Sequence, residues 1–405
     1  MTTTTNNEQK KLNVPNLRFK EFQGEWEKCT LGNNVKIQGG YAFKSEFFLR
    51  KGIPIIRISN LPQNASFVDL DDCIYYKKGN YNSFEVHNGD LLIAMSGATT
   101  GKTAIYNKKT LAYLNQRVGL FKSTNSDSLY YPFLYAFVST PVFKRQLSTR
   151  LIAGAQPNIS SNDIESIRIS IPQKNEQEKI AHLMLLLDER IATQNKIIED
   201  LKKLKSAIID YVINSLNTDF AKFGSLYEMA GEGGTPTTSN ASFYDNGKIP
   251  FIKIDDLKKK YLTENKDFIT ELGLQKSSAW LVPTRSILFS NGATIGEITI
   301  TTYPVCTKQG ILGIVPKPNI DVEFLYYFMS SSYFKKAVSR IVTEGTMKTA
   351  YLKDINNIRC PIPIKEKQQD IAKMPSALNS KIDFEQSILK QFCSQKQYLL
   401  RQMFM

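Results

Sequence analysis

Histidine is almost absent from this sequence of 405 residues, and its cysteines are few and scattered. The two histidines are His87 and His182, and the second lies in a helical pattern that favours the flank of a packed seam over a ligand position. No C-x-x-C pair occurs among the five cysteines, which are Cys29, Cys73, Cys306, Cys360 and Cys393. Because zinc sites and disulfide frameworks need closely spaced ligands or an even set of cysteines, we expect neither and interpret the cysteines as buried thiols.

Long hydrophobic runs and recognisable catalytic groups are missing too. No stretch approaches the roughly 18 to 20 apolar residues that a membrane-spanning helix needs, and residues 1–11 lack the apolar core of a signal peptide. Two histidines do not support a Ser-His-Asp or Cys-His arrangement, and the Asn-Pro-Pro-aromatic motif of adenine methyltransferases does not occur. We therefore expect a cytoplasmic protein with no catalytic centre, no bound metal and no membrane contact.

Acidic residues are outnumbered, with 38 Asp and Glu against 52 Lys and Arg, which gives a net charge of +14. An excess of this size favours a polyanionic partner, although a merely soluble basic protein stays open. Hydrophobic residues make up 42% of the chain, enough for the cores of two or three domains.

The chain repeats itself, which matters because a repeat decides the whole architecture. GIPIIRISNL at 52–61 returns as KIPFIKIDDL at 248–257, and SGATTG at 96–101 returns as NGATIG at 291–296. DIESIRISIP at 163–172 returns as DINNIRCPIP at 354–363, and the helical stretches that follow align at an offset of 191, Gln177 with Gln368. The chain is therefore two copies of one unit, a globular part followed by a long helix.

Each globular part is predicted to be a mixed α/β domain. Apolar runs at 53–58, 91–95, 249–254 and 287–290 predict short strands, and the segments near 133–147 and 324–338 predict short helices. The predicted boundaries are a flexible tail at 1–19, domains at 20–173 and 217–364, and helices at 174–216 and 365–405.

The two helices are predicted to pair as an antiparallel coiled coil with pseudo-two-fold symmetry. Apolar residues recur at the 3.5-residue spacing of such a seam. In the first copy they are Ile180, Met184, Leu187, Ile191, Ile198, Leu201, Ile208 and Val212, and in the second Ile371, Leu378, Ile382, Leu389, Phe392, Leu399 and Met403. About 33 helical residues would span roughly 50 Å and separate the domains.

Two polar pairs interrupt this seam at equivalent positions, Gln194 with Glu385 and Lys205 with Lys396. We expect Gln194 and Glu385 to fix the register of the helices at some cost in stability. The alternative is that both face solvent at a break in the seam.

The segment SGATTGKT at 96–103 is similar to a phosphate-binding loop. Ser96 stands where that motif has its first glycine, and the second copy replaces Lys102 and Thr103 by Glu297 and Ile298. A nucleotide-hydrolysing enzyme is therefore the weakest alternative. The shared Gly-Ala-Thr-x-Gly instead predicts a tight turn that approaches a DNA phosphate or a neighbouring strand.

Candidate DNA-contacting residues lie at equivalent places in the two copies but differ in chemistry, as expected of a duplicated reader of two different sequences. Any one of them could equally be a surface polar group without a base contact. The aligned sets are Arg57 and Asn60 with Lys253 and Asp256; Asn115, Gln116 and Arg117 with Thr307, Lys308 and Gln309; Gln156 and Asn158 near Met347 and Lys348; and Lys102, Asn291 and Thr294 around the Gly-Ala-Thr turns.

Several motifs together carry a family resemblance over nearly the full length. They are VPNLRF at 14–19 with Phe22 and Glu25-Trp26, GIPIIRIS at 52–59, GATTG at 97–101, Ile171-Pro172, and the helix opening EQxxIA at 176–181 followed by LDxxI at 187–191. On these residues the chain resembles the DNA specificity subunits of type I restriction-modification systems.

The resemblance implies a non-catalytic subunit that binds double-stranded DNA through two target-recognition domains, each reading half of an interrupted sequence. The helices would bind two methyltransferase subunits, and restriction subunits would join them. S-adenosylmethionine, ATP and Mg would be bound by those partners and not by this chain. Pro375 replaces Met184 and Asn379 replaces Asp188 in the second copy, so we expect a kink or restart there and unequal docking.

Two other readings stay open beside this one. The chain could be a coiled-coil scaffold with two protein-binding modules, or a specificity protein that serves a methylating nuclease of another restriction class.

Overall fold

The structure is a computed structural model of the chain and describes residues 12–62, 67–151, 157–292, 294–342 and 349–405. It divides into two compact units. Unit 1 comprises Met1–Asn195 and Ser387–Met405, and unit 2 comprises Lys196–Gln386. Each unit therefore contains one globular domain, part of the helix that follows it, and part of the other long helix.

Unit 1 contains ten strands and three short helices in its described part, and the first long helix begins in it. The strands are β1 (Glu27–Thr30), β2 (Val35–Gly39), β3 (Ile53–Ile56), β4 (Ile74–Tyr76), β5 (Glu85–Val86), β6 (Leu91–Ala94), β7 (Thr103–Ile105), β8 (Ala112–Leu114), β9 (Val118–Ser123) and β10 (Arg168–Ile171). The helices are α1 (Tyr131–Val138), α2 (Pro141–Ser148), α3 (Ser161–Glu165) and the long α4 (Lys174–Asn214).

Unit 2 has a similar order of elements, with an additional short helix between its fifth and sixth strands. Its strands are β11 (Phe220–Lys222), β12 (Tyr227–Glu232), β13 (Ile249–Ile252), β14 (Tyr261–Leu262), β15 (Asp267–Ile269), β16 (Ile287–Ser290), β17 (Ile298–Thr301), β18 (Cys306–Thr307), β19 (Ile311–Pro316) and β20 (Arg359–Pro361). Its helices are α5 (Glu271–Gln275), α6 (Val322–Ser330), α7 (Ser332–Ile341), α8 (Leu352–Ile355) and the long α9 (Lys365–Gln402). The predicted mixed α/β class and the two long helices are confirmed.

Each domain contains two sheets that pack together through one apolar cluster, which includes Ile56, Leu92 and Leu114 in unit 1 and Ile252, Leu288 and Ile311 in unit 2. In unit 1 they have the orders β2-β9-β6-β7 and β4-β3-β8-β5, and in unit 2 the orders β12-β19-β16-β17-β14 and β15-β13-β18. The parallel pair β3 and β8 corresponds to the parallel pair β13 and β18. A short antiparallel pair, β1 with β10 or β11 with β20, closes each domain just before its long helix. The repeat in sequence is thus a repeat in topology.

A buried glutamine fastens the start of each long helix to its domain. The side chain of Gln177 accepts a hydrogen bond from Tyr130 N at 2.8 Å and donates to Pro172 O at 2.9 Å. Gln368 does the same with Asp321 N at 2.8 Å and Pro363 O at 2.8 Å. Because a buried amide is costly unless its donor and acceptor are both satisfied, this geometry explains why the glutamine stands at the same place in both copies.

Within each unit the two long helices run antiparallel, as predicted. In unit 1, Lys396 of α9 donates to Asp188 of α4, and Phe392, four residues earlier in α9, lies 5.3 Å from the guanidinium of Arg190. The predicted seam positions of α4 are buried or half-buried. Ile209 and Ile213, which lie outside the predicted seam, are also buried because they pack into the core of unit 2.

The structure rules out one option for each of the two irregularities predicted in the helices. Gln194 and Glu385 are each only 7% exposed, so the alternative that they face solvent is wrong. The α9 helix runs through Pro375 as one element, so it does not restart there, and the expected kink stays a prediction. The missing N–H of Pro375 leaves one carbonyl of the preceding turn without its usual helical donor, which a single helix tolerates at a cost in stability.

Candidate nucleic-acid interface

A three-residue turn between two strands presents polar side chains at equivalent places in both units. In unit 1 it joins β8 to β9 and consists of Asn115, Gln116 and Arg117, of which the last two are exposed. In unit 2 it joins β18 to β19 and begins with the exposed Lys308 and Gln309. We call these the recognition turns.

The backbone of both recognition turns is held in the same way. Asn115 N donates to Ile56 O at 3.1 Å, and Lys308 N donates to Ile252 O at 2.9 Å. These bonds pair Asn115 with Lys308, one residue away from the predicted pairing with Thr307. Thr307 instead ends β18 and is fully buried, so it belongs to the scaffold.

A glycine packs against the backbone of each recognition turn at very short range. A Cβ atom added to Gly40 would lie 2.2 Å from Asn115 O, and one added to Gly233 would lie 2.2 Å from Thr307 O. Real side chains do not approach a backbone oxygen so closely, so both positions require glycine. Sequence reasoning missed them, although a Gly-Gly pair at 39–40 and again at 233–234 was available as a signal.

In unit 1 the recognition turn forms one wall of a surface groove of about 440 Å³. The groove brings together three of the predicted DNA-contacting residues, Gln116, Arg117 and Asn158. Its other lining residues are Gly39, Met95, Ser96 and Ile159. Amide, guanidinium and hydroxyl groups in one groove are the set that reads base edges and binds phosphates.

The Gly-Ala-Thr turn does not have the geometry of a phosphate-binding loop. It joins β6 to β7, so Thr103 begins a strand, whereas a phosphate-binding loop leads into the N-terminus of a helix. Its amides are also engaged: Gly97 N donates to Pro157 O at 3.0 Å and Gly101 N to Ala94 O at 2.8 Å. Gly97 and Gly101 have φ values of 80° and 86°, as the predicted tight turn requires.

Asn60 and Asp256 support turns of their own chain. Asn60 Oδ1 accepts from Arg57 N at 2.9 Å, its Nδ2 donates to Asp69 O at 2.9 Å, and its side chain is buried. Asp256 Oδ2 accepts from Lys253 N at 2.9 Å in the same way. These bonds hold both side chains against their own turns, so we interpret both as capping residues.

The remaining candidates are dispersed. Lys253 is exposed and pairs with Asp267 at 2.8 Å, Arg57 donates to Asp72 O at 3.3 Å, and Asn291 is 1% exposed and donates to Ala350 O at 3.3 Å. Lys102 is half-buried and Thr294 is exposed. Gln156 and Lys348, with Met347, lie outside the described residues.

The five cysteines are free thiols that differ in how deeply they are buried. Cys306 and Cys360 are buried, and burial raises the pKa of Cys306 to about 11 and that of Cys360 to about 12. Cys29, Cys73 and Cys393 are only half-buried, which corrects the prediction that all five are buried. Over the described ranges, no group of three or more His, Cys, Asp or Glu side chains could hold a metal ion, and no helix is long and apolar enough to cross a membrane.

Comparison with known proteins agrees with this architecture. A family model described as the type I restriction modification DNA specificity domain matches residues 23–203 and again 217–392. The putative type I restriction enzyme MjaX specificity subunit of Methanocaldococcus jannaschii is 24% identical over 96% of this chain and 95% of its own length. The type I restriction enzyme EcoAI specificity subunit of Escherichia coli is 30% identical over 48% of this chain and 34% of its own length.

Solved structures share the fold. The S subunit of a type I restriction-modification system from M. genitalium has a TM-score of 0.61 at 18% identity, covering 97% of this chain and 99% of its own. A chain from a structure of type I R-M complex assembly and conformational transition has a TM-score of 0.56 at 15% identity, covering 93% of this chain and 96% of its own. With the family model matching both halves, the chain belongs to the type I restriction-modification DNA specificity family and carries two copies of its specificity domain.

Proposed function

We propose that this chain is a non-catalytic specificity subunit that binds an interrupted DNA sequence, with unit 1 reading one half-site and unit 2 the other. The observation that carries the proposal is the pair of recognition turns. Their backbones are fixed by equivalent hydrogen bonds, but one presents Gln116 and Arg117 and the other Lys308 and Gln309. A shared scaffold with different readout chemistry suits two half-sites of different sequence.

The partners follow from the same proposal. The long helices dock two adenine methyltransferase subunits, and restriction and translocase subunits join the complex in the cytoplasm. S-adenosylmethionine, ATP and Mg are bound by those subunits. The excess of 14 positive charges contributes affinity through phosphate contacts, so DNA binding weakens steeply as salt increases.

A base-resolution adenine methylome of the host, with the gene intact and deleted, tests the proposal. Loss of methylation at a single interrupted motif on deletion is the expected result, and it identifies both half-sites. An unchanged methylome in a host that expresses the methyltransferase contradicts the proposal and favours the scaffold alternative. A control strain carries the gene with Lys276→Ala, a change of an exposed residue outside the recognition turns. This strain is expected to methylate the motif normally.

A further inference from the structure

One aromatic side chain lies against the recognition turn of unit 1 and stays open to solvent. Tyr41 N donates to Leu114 O at 2.8 Å, and Tyr41 O accepts from Gln116 N at 2.9 Å. One backbone hydrogen bond therefore ties Tyr41 to the last residue of β8, and a second ties it to Gln116 in the recognition turn. The side chain of Tyr41 nevertheless is 41% exposed. A base contact by Gln116 would bring the Tyr41 ring to the same stretch of DNA.

The ring of Tyr41 is held in place from behind by other aromatic rings. Its centroid lies 5.0 Å from that of Phe43, in a T-shaped arrangement, and 5.3 Å from those of Tyr81 and Phe84. A ring already fixed by its neighbours loses little conformational freedom when it binds. The Tyr41 ring therefore offers a preformed apolar contact beside the polar side chain of Gln116.

The DNA group that fits such a contact follows from the chemistry of the major groove. Base edges there present hydrogen-bond donors and acceptors, and the one apolar group among them is the C5 methyl of thymine. An exposed aromatic ring next to an amide that reads base edges is therefore suited to a thymine methyl.

In the described part of unit 2, the segment at this place has glycine instead of an aromatic residue. The segment that approaches its recognition turn contains Gly233, Gly234 and Thr235, and Gln309 N donates to Thr235 Oγ1 at 3.3 Å. A Cβ atom on Gly234 would lie 2.3 Å from Ser278 Oγ, so the fold leaves no space for a side chain there. Among the described residues, only unit 1 therefore places an aromatic ring at this point of its recognition turn.

We propose that Tyr41 is a specificity-determining residue that contacts the C5 methyl group of a thymine in the half-site read by unit 1, and that unit 2 makes no equivalent contact. This rests on the proposed function.

The test replaces each thymine of the methylated motif singly by uracil, which removes only the methyl group. The full chain, assembled with the methyltransferase subunits of its host, is titrated with these synthetic duplexes. The half-site of unit 1 is the one whose sequence requirement relaxes in the Gln116→Ala variant. One uracil in that half-site is expected to weaken binding about fourfold, as loss of one buried methyl group predicts.

Variants of Tyr41 show whether the ring makes the contact. Tyr41→Ala is expected to bind the thymine and uracil duplexes equally, and Tyr41→Phe is expected to keep the fourfold difference. Phe47 is the matched control, because it is 47% exposed and no backbone hydrogen bond joins it to a recognition turn among the described residues. Phe47→Ala is expected to keep the difference.

Two results would overturn the assignment: equal binding of the thymine duplex and of every uracil duplex by the unmodified chain, or a uracil effect that persists in Tyr41→Ala. Each leaves the proposed function standing, provided that the complex still selects an interrupted sequence. Binding with no sequence preference at all would instead contradict the proposed function.

Discussion

Lys205 donates a hydrogen bond of 2.9 Å to the side-chain oxygen of Asn379, which joins α4 to α9 inside unit 2. At the repeat-related positions of unit 1, Lys396 forms an ion pair with Asp188. The same lysine is thus kept in both copies, but its partner is neutral in unit 2. Burial lowers the pKa of Lys205, because the charged ammonium is partly removed from water there.

The first prediction concerns this pair. Asn379→Leu is expected to lower the free energy of unfolding of unit 2 by about 1 to 3 kcal/mol, because it leaves the half-buried Lys205 without its acceptor. Thermal unfolding of the full chain measures the loss. The double variant Lys205→Met with Asn379→Leu removes both polar partners and is expected to recover most of the stability. An unchanged midpoint in Asn379→Leu would show that the bond contributes nothing.

The second prediction concerns the recognition turns. Joint replacement of Gln116 and Arg117 by alanine is expected to relax the sequence requirement of one half-site. Joint replacement of Lys308 and Gln309 is expected to relax that of the other. Each lost base contact is expected to reduce the discrimination against the wrong base by about 1 to 3 kcal/mol. The methylome of each variant strain measures the effect at every position of the motif. If both double variants relaxed the same half-site, the assignment of one half-site to each unit would be wrong.

The third prediction concerns the glycines behind the turns. Gly40→Ala and Gly233→Ala are each expected to displace the adjacent recognition turn and to cost about 1 to 3 kcal/mol of stability. Gly39→Ala is the matched control, since a Cβ atom there would meet no atom within 4 Å. Thermal unfolding of the three variants provides the comparison, and DNA affinity is measured for Gly40→Ala and Gly233→Ala only. Equal unfolding temperatures of Gly39→Ala and Gly40→Ala would contradict the close approach of Gly40 to Asn115 O.

The fourth prediction concerns register. Gln194→Leu replaces a buried amide by an apolar side chain, which is expected to stabilise the helices but to remove a constraint on their alignment. The resulting methylome is expected to show motifs with more than one gap length. A single unchanged gap would mean that Gln194 does not fix the register.

Most of the architecture could be predicted from the internal repeat, because apolar periodicity and the paired glutamines can be recognised in short stretches of sequence. The predicted strand at 287–290 is observed as Ile287–Ser290, and Gln177 and Gln368 take equivalent places. These features depend on residues close to one another in the chain or on an exact spacing between copies. The starts of the four predicted strands and of both long helices could therefore be predicted. The strands predicted at 53–58, 91–95 and 249–254 end earlier, at Ile56, Ala94 and Ile252.

Features that depend on contacts between separate segments of the chain could not be predicted from the sequence. Asn60 has the chemistry of a base reader, but its partner Asp69 decides its role, and the sequence does not show that contact. Tyr41 has no periodic pattern around it, and it gains its importance only from hydrogen bonds to a turn more than 70 residues later. The recognition turns were mispaired by one residue because the alignment there rests on polar residues that differ between the copies.

The end of α9 completes the core of unit 1. Phe404 stacks on Phe133 at 5.3 Å and meets the edge of Trp26 at 6.3 Å, and Leu17 N donates to Gln402 O at 2.9 Å. All residues of unit 2, in contrast, lie between 196 and 386. During synthesis on the ribosome, all of unit 2 is therefore translated before residues 387–404, and until those residues follow, Trp26 and Phe133 lack the Phe404 ring that packs on them.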